Sequence, residues 1–264
     1  MASEEMLPLR PLGDTEIDVS VLGLGTVKFG RNQQVKYPSP FDLPTDDEIL
    51  SLLSIAKDLG INFLDTAPAY GSSEERIGQL LTNREQWVLG SKVGEGFVNG
   101  ESVFAFDGAA VRASIENSLK LLKTDYLDVV LIHSDGNDID ILNNTDCVET
   151  LQTLKQQGYI RSIGMSGKTV EGGIAALEQM DVAMVTYNTE ATAEAKVIEY
   201  AAAHNKGILI KKAMNSGHLS VADNGAEQAL DFVLSKSGVS SAIVGTINPD
   251  HLRANVAAAV AVCK

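Results

Sequence analysis

The stretch INFLDTAPAYGSSEERIG (residues 61–78) sets an apolar run, Ile61 to Leu64, against a carboxylate, Asp65. Tyr70 follows five residues later and stands before a glycine, and Ser-Ser-Glu-Glu then opens a helical pattern. An apolar run that stops at a polar residue and passes through a short turn into an amphipathic helix is one strand–turn–helix unit of an α/β fold. Asp65 and Tyr70 either shape that turn or form part of a proton-transfer site, and the rest of the chain has to decide between these.

The unit recurs along the chain. Strand patterns cover Val21–Gly25, Asn62–Asp65, Trp87–Lys92, Leu127–His133, Ser162–Ser166, Ala183–Tyr187, Gly207–Lys211 and Ala242–Val244. Helical patterns lie near 46–59, 74–82, 108–122, 146–157, 170–179, 193–204, 224–236 and 250–262. Thr45 with Glu48 forms a capping box, and Asn248-Pro249 places a cap before a proline at the first helical position. Eight strands alternating with eight helices predict an α/β fold of the (β/α)8 TIM-barrel type, one domain over residues 1–264. A doubly wound open sheet is the alternative, but GLGTVKFG (23–30) has the wrong glycine spacing for a dinucleotide fingerprint. Apolar-alternating runs around Gly13-Asp14 predict a short β-hairpin over Leu9–Leu22 ahead of the barrel. Three connections are long: Lys28–Pro44 (with Pro38 and Pro40), Gly94–Phe106 and Ser134–Asn144. All three follow strands, and so belong to the C-terminal rim, where such barrels carry specificity.

With 264 residues, 44% of them hydrophobic, the chain can bury a large core. Its net charge of −14 argues against nucleic-acid binding. Cys147 and Cys263 have no metal-like spacing and make a disulfide scaffold a poor reading. The opening MASEEMLPLRPLG has no apolar targeting core, and no stretch is long enough to span a bilayer. The expectation is a cytoplasmic protein with no membrane association; oligomeric state is silent.

The strand ends carry the chemistry. The second strand ends at Asp65, the third at Lys92 and the fourth at His133. On a barrel rim these ends are neighbours, and Tyr70 joins them. Taken singly, each has a plain reading: a turn cap, a core-edge tyrosine, a solvated lysine, a core histidine. Together they suit acid catalysis on a carbonyl. A phenol is a weak acid at neutral pH, a nearby lysine lowers its pKa, and an aspartate keeps the lysine charged. A histidine can position the carbonyl oxygen or share in proton transfer. Such a set cannot reduce anything alone, so a cofactor must supply electrons. His133 has no second histidine at ligand spacing, which disfavours metal hydrolysis.

These residues resemble the aldo-keto reductases. The resemblance covers nearly the whole chain, through LGLGT (22–26), FLDTAPAYGSSEERIG (63–78), WVLGSKVG (87–94), YLDVVLIH (126–133), IRSIGMSG (160–167), VTYN (185–188) and IVGTINPDHLRANV (243–256). It implies an NADPH-dependent reductase of aldehydes or ketones, with NAD as the alternative cofactor. The catalytic set is then Asp65, Tyr70, Lys92 and His133, with Tyr70 as general acid. Thr26, Asp65, Ser166 and Tyr187 match residues around the nicotinamide. The chain departs from the family at Gly167, where Asn is usual, and at Met184, where Gln is usual. It also has Gly245 where many members are basic and His251 where an Arg is common.

Gly245 and Thr246, leading into the Asn248 helix start, form a candidate anion site with His251 and Asn255. Asn248 read as a plain N-cap is the competing view, and Asp250 should repel an extra phosphate. Of Lys211 and Lys212, one must face the barrel, where it could meet a cofactor phosphate; a solvated pair is the alternative. The rivals to carbonyl reduction are a nicotinamide-binding sensor barrel coupled to a protein partner, and a Schiff-base aldolase using Lys92. Phe97, Phe104 and Phe106, with Phe29, Tyr37 and Phe41, either line an apolar substrate pocket or pack their own loops.

Overall fold

The computed structural model describes residues 6–35, 37, 39–215 and 225–264. Pro38 of the first long connection and the start of the helix expected at 224 lie outside the described residues. The described chain opens with a hairpin, β1 (Leu9–Pro11) and β2 (Asp18–Ser20). Eight parallel strands then close a barrel: β3 (Leu22–Gly25), β4 (Phe63–Asp65), β5 (Val88–Val93), β8 (Leu127–His133), β9 (Ile160–Ser166), β10 (Val182–Thr186), β11 (Gly207–Lys211) and β12 (Ser241–Val244). Between β5 and β8 runs a second hairpin, β6 (Glu95–Val98) and β7 (Glu101–Phe104). The helices are α1 (Val27–Gly30), α2 (Asp46–Asp58), α3 (Ser73–Leu80), α4 (Gly108–Leu122), α5 (Asp138–Asn144), α6 (Cys147–Gln156), α7 (Val170–Gln179), α8 (Ala195–Ala203), α9 (Gly225–Leu234) and α10 (Pro249–Val262).

Local chemistry sets these boundaries. Thr45 and Glu48 make the expected capping box at the start of α2. In that helix Ile49, Leu52, Leu53 and Ala56 are buried, the one-faced spacing of a helix laid on a sheet. Asn248 caps α10 ahead of Pro249, as its sequence requires.

Two cores result. The larger lies between the strands and the helices. The smaller fills the barrel with Phe63, Val88, Val129, Leu131, Val182, Met184 and Leu209, and Leu12, Ile17 and Val19 of the N-terminal hairpin join it. The hairpin therefore plugs one end of the barrel. The glycines of the LGLG strand are explained by packing: a Cβ on Gly23 would stand 2.7 Å from both Phe63 and Ile243. Leaving that volume empty lets Phe63 bury completely, which contributes about 1.5–3 kcal/mol over leaving it in water. No described helix is long and apolar enough to cross a membrane.

Candidate active site

Alternation along the strands decides which polar side chains enter the barrel. Phe63 faces the interior and Leu64 the helices, so Asp65 faces in. In β5, Val88 and Lys92 share the inward parity, whereas Ser91 points outward and donates to Glu74 Oε1 at 2.6 Å. In β8 the inward series Val129, Leu131 ends in His133, and in β11 Leu209 is followed two residues on by Lys211. Ser166 sits beside His133 in register. One layer at the C-terminal rim thus gathers Asp65, Lys92, His133, Ser166 and Lys211.

Lys92 is the centre of this layer. Its Nζ donates to Asp65 Oδ1 at 2.6 Å and to the Thr66 carbonyl at 2.9 Å, and the two side chains are 1% and 6% exposed. Tyr70 sits in a 3-10 turn (Pro68–Tyr70) just past β4, with its ring centroid 4.7 Å from Lys92 Nζ. It meets His133 edge to face, centroids 6.4 Å apart at 88°. Burial works against the Lys92 charge, but Asp65 and then Tyr70 outweigh it and hold the amine above its ordinary value. Tyr70 behaves differently from the simple expectation. Burial pushes the phenol up to about 12; Lys92 pulls it down, and Asp65 and Glu95 push it up again. The lysine does favour the phenolate, but in the structure desolvation wins and Tyr70 keeps its proton.

Sequence reasoning missed Glu95. It stands on the hairpin that follows β5, and its Oε2 lies 2.8 Å from His133 Nδ1. Ser102 Oγ donates to the other oxygen at 2.6 Å. Burial opposes ionisation of Glu95, yet the close approach and charge of His133, with Ser102 and Arg31, bring its carboxyl down to about 2. Arg31 stacks 3.7 Å over the Phe97 ring and donates to the Ala69 carbonyl at 2.9 Å, tying the hairpin to the Tyr70 turn. Asn99-Gly100 could have revealed this hairpin: both residues have positive φ, and Asn-Gly between alternating runs signals a tight two-residue turn. The aromatics of the long connections mostly pack locally. Phe29 is fully buried, Phe97 lies under Arg31, Phe104 stacks on Phe106, and Tyr37 meets Phe41 edge on.

A second cluster surrounds Ser166. Lys211 Nζ donates to Ser166 Oγ at 2.9 Å and to the Gly167 carbonyl at 2.6 Å. Burial, opposed by Glu194 and aided by Lys212 and Lys92, lowers its amine to about 8. Lys212, by contrast, is exposed and left-handed at φ 57. Asp138 explains the glycine at 167. Its carboxylate accepts from Ser134 Oγ, from the Lys168 and Thr169 amides at 2.8 Å and from Thr169 Oγ1 at 2.7 Å. A Cβ on Gly167 would lie 3.1 Å from that carboxylate. Helix α5 thus braces the Ser166 turn through a buried acid and takes the space a larger side chain at 167 would need.

Thr26 is fully buried; its hydroxyl donates to the Asp65 carbonyl at 3.0 Å and accepts from Ser73 at 2.8 Å, so it braces the end of β4. Tyr187 stacks on Phe232 of α9, centroids 4.9 Å apart, within the outer core. Gly245 lies under the Tyr37 hydroxyl. Thr246 Oγ1 accepts from the Asn248 amide at 3.0 Å, and Asn248 Oδ1 accepts from the Asp250 and His251 amides at 2.8 and 3.2 Å. The amides at this helix start are therefore already capped. His251 is exposed and Asn255 buried.

The donor set suits a nicotinamide. Ser166 Oγ accepts from Lys211, so its own hydrogen is left to donate to an amide oxygen. Among the described residues no group of three or more His, Cys, Asp or Glu could hold a metal ion.

Comparison with known proteins identifies the family and the fold. The model of the Aldo/keto reductase family matches residues 21–228. The crystal structure of PA4992 from Pseudomonas aeruginosa is 55% identical, superposes with a TM-score of 0.89, and the match covers 97% of this chain and 95% of that one. The uncharacterized oxidoreductase YqkF of Bacillus subtilis is 26% identical over 95% of this chain and 90% of its own length. L-galactose dehydrogenase of Arabidopsis thaliana is 34% identical over 61% of this chain and 49% of its own. The holo form of aldo-keto reductase AKR11C1 from Bacillus halodurans, 22% identical with a TM-score of 0.81, shares the barrel fold. The chain belongs to the aldo/keto reductase family of NAD(P)H-dependent oxidoreductases.

Proposed function

We propose that the protein reduces the carbonyl group of an aldehyde or ketone to an alcohol, using NADPH and the proton of Tyr70. One observation carries the reading: inside the barrel rim, a buried lysine bonded to Asp65 at 2.6 Å stands 4.7 Å from the ring of a phenol that retains its proton. When bound, the nicotinamide supplies the hydride. Tyr70 donates to the carbonyl oxygen as negative charge develops there; an alkoxide is far more basic than a phenolate, so the transfer runs downhill. The phenolate left behind is stabilised by Lys92, which Asp65 keeps cationic. Desolvation makes that support worth more here than in water.

Ser166 and Lys211 are the residues suited to hold the carboxamide, with Thr26, Asp65 and the Gly167 backbone as the neighbouring candidates. Gly245, Thr246, Asn248, His251 and Asn255 are the candidates for the phosphate end, and the exposed Lys212 is a further basic candidate. The capped amides and Asp250 work against an additional phosphate, so NADH is the alternative donor. The test is NADPH and NADH oxidation over a panel of small aldehydes, quinones and ketosteroids. Turnover with NADPH supports the proposal. Tight NADPH binding with no turnover across the panel would instead favour a nicotinamide-binding barrel that serves a protein partner.

A further inference from the structure

We propose that Glu95 is a positioning residue that acts through His133: it takes the hydrogen on Nδ1, so that Nε2 carries a hydrogen only when the ring is cationic. The proposal rests on the carbonyl-reduction reading and deepens it, because it states in which form His133 can donate to a carbonyl oxygen.

Three observations support it. His133 Nδ1 is buried from solvent, and Glu95 Oε2 approaches it to 2.8 Å, at an angle short of an aligned hydrogen bond. The Glu95 carboxylate is fixed from its other side by Ser102 Oγ at 2.6 Å, across the hairpin on the diagonal from Glu95. The hairpin itself is pinned by Arg31, which covers Phe97 and binds the Ala69 carbonyl one residue before Tyr70. The carboxylate therefore cannot move away without breaking contacts on both strands.

The chemistry follows from what each group can do. An ionised carboxylate only accepts hydrogen bonds, and a neutral imidazole has one hydrogen to place. With Glu95 against Nδ1, that hydrogen belongs on Nδ1, and Nε2 is left with a lone pair. A lone pair accepts from an alcohol and repels a carbonyl oxygen. Once the ring gains a second proton, Nε2 becomes a donor and suits the carbonyl. Glu95 thus ties reduction to the cationic ring and alcohol oxidation to the neutral one. Burial works against the cation and holds His133 below its ordinary value; Glu95 from β6 pulls it back up, and Lys92 from β5 and Lys211 from β11 add to the lowering, while Tyr70 meets the ring edge to face.

Long-range 1H–15N correlation spectra of the histidine rings report the tautomer directly, and the chain has only four histidines. The expected result is a neutral His133 protonated on Nδ1. In Glu95→Gln, which keeps an acceptor but removes the charge, the His133 midpoint falls by about 1 pH unit. The high-pH limit of kcat/KM for reduction moves down with it. In Glu95→Leu the neutral ring no longer holds its hydrogen on Nδ1. Ser102→Ala, which keeps the carboxylate, retains the Nδ1 tautomer and checks that loosening the hairpin alone does not mimic the effect. The proposal is overturned if the neutral wild-type ring carries its hydrogen on Nε2, or if the Glu95→Gln midpoint matches wild type. The spectra need no turnover, so a failure of the carbonyl-reduction reading would show only in the rates.

Discussion

Replacing Asp65 with asparagine removes the charge that Lys92 was buried against while leaving the shape nearly unchanged. The ion pair is 2.6 Å long and both side chains are almost fully enclosed, so solvent cannot take the place of the carboxylate. Lys92 would keep only neutral acceptors, the Thr66 carbonyl at 2.9 Å and the asparagine amide oxygen. Breaking a buried pair from one side costs about 3–5 kcal/mol, because the stranded charge pays desolvation without compensation. Burial then governs the amine and drives it toward the neutral form, which withdraws the cation facing Tyr70. Urea unfolding of Asp65→Asn should show that loss of stability, and reductase turnover should fall by about 100-fold or more. The double variant Asp65→Asn with Lys92→Met should regain much of the stability, since no buried charge is left, but none of the activity. The reasoning is refuted if Asp65→Asn unfolds within about 1 kcal/mol of wild type, or if the double variant is no more stable than the single.

Three further outcomes are expected. Lys211→Met should weaken NADPH binding by roughly tenfold, the value of one lost hydrogen bond of about 1.4 kcal/mol, measured by the quenching or enhancement of cofactor fluorescence; an unchanged Kd would remove Lys211 from the cofactor cradle. Gly23→Ala should cost about 1–3 kcal/mol in urea unfolding by pressing on Phe63 and Ile243 at 2.7 Å, and a neutral result would mean that the barrel interior has slack. Glu95 has a folded pKa of about 2 against an ordinary 4.5, so its contribution is present above pH 4.5 and is lost as the pH falls toward 2. Because the group is partly exposed, that contribution is about 1–2 kcal/mol; Glu95→Gln should therefore lose less stability than wild type between pH 5 and pH 3, and parallel curves would contradict the assignment.

The barrel was legible because the strands are apolar-rich runs that mostly stop at or just before glycine or a polar residue, and because Thr45 and Asn248 mark helix starts chemically. The site was legible for a related reason. Once the strands are placed, a period of two carries Asp65, Lys92 and His133 to the interior without knowledge of any contact. Glu95 was hidden because it lies on a loop-borne hairpin, and its value comes from meeting a residue 38 positions away; only the Asn99-Gly100 turn signalled the hairpin. Asp138 was hidden in the same way: in sequence it is one of several acids in a loop, and only the fold shows that it fills the space beside Gly167. The direction of the Tyr70 shift depended on burial, a quantity that no residue spacing contains.

The most direct measurement is made on Tyr70→Phe, which deletes the phenol oxygen and little else. NADPH should bind with a Kd close to wild type, while kcat for carbonyl reduction falls by about 100-fold to 10,000-fold, the span expected when a general acid is removed. Reduction at the wild-type rate with normal cofactor binding would contradict the account, since the proton would then come from another group.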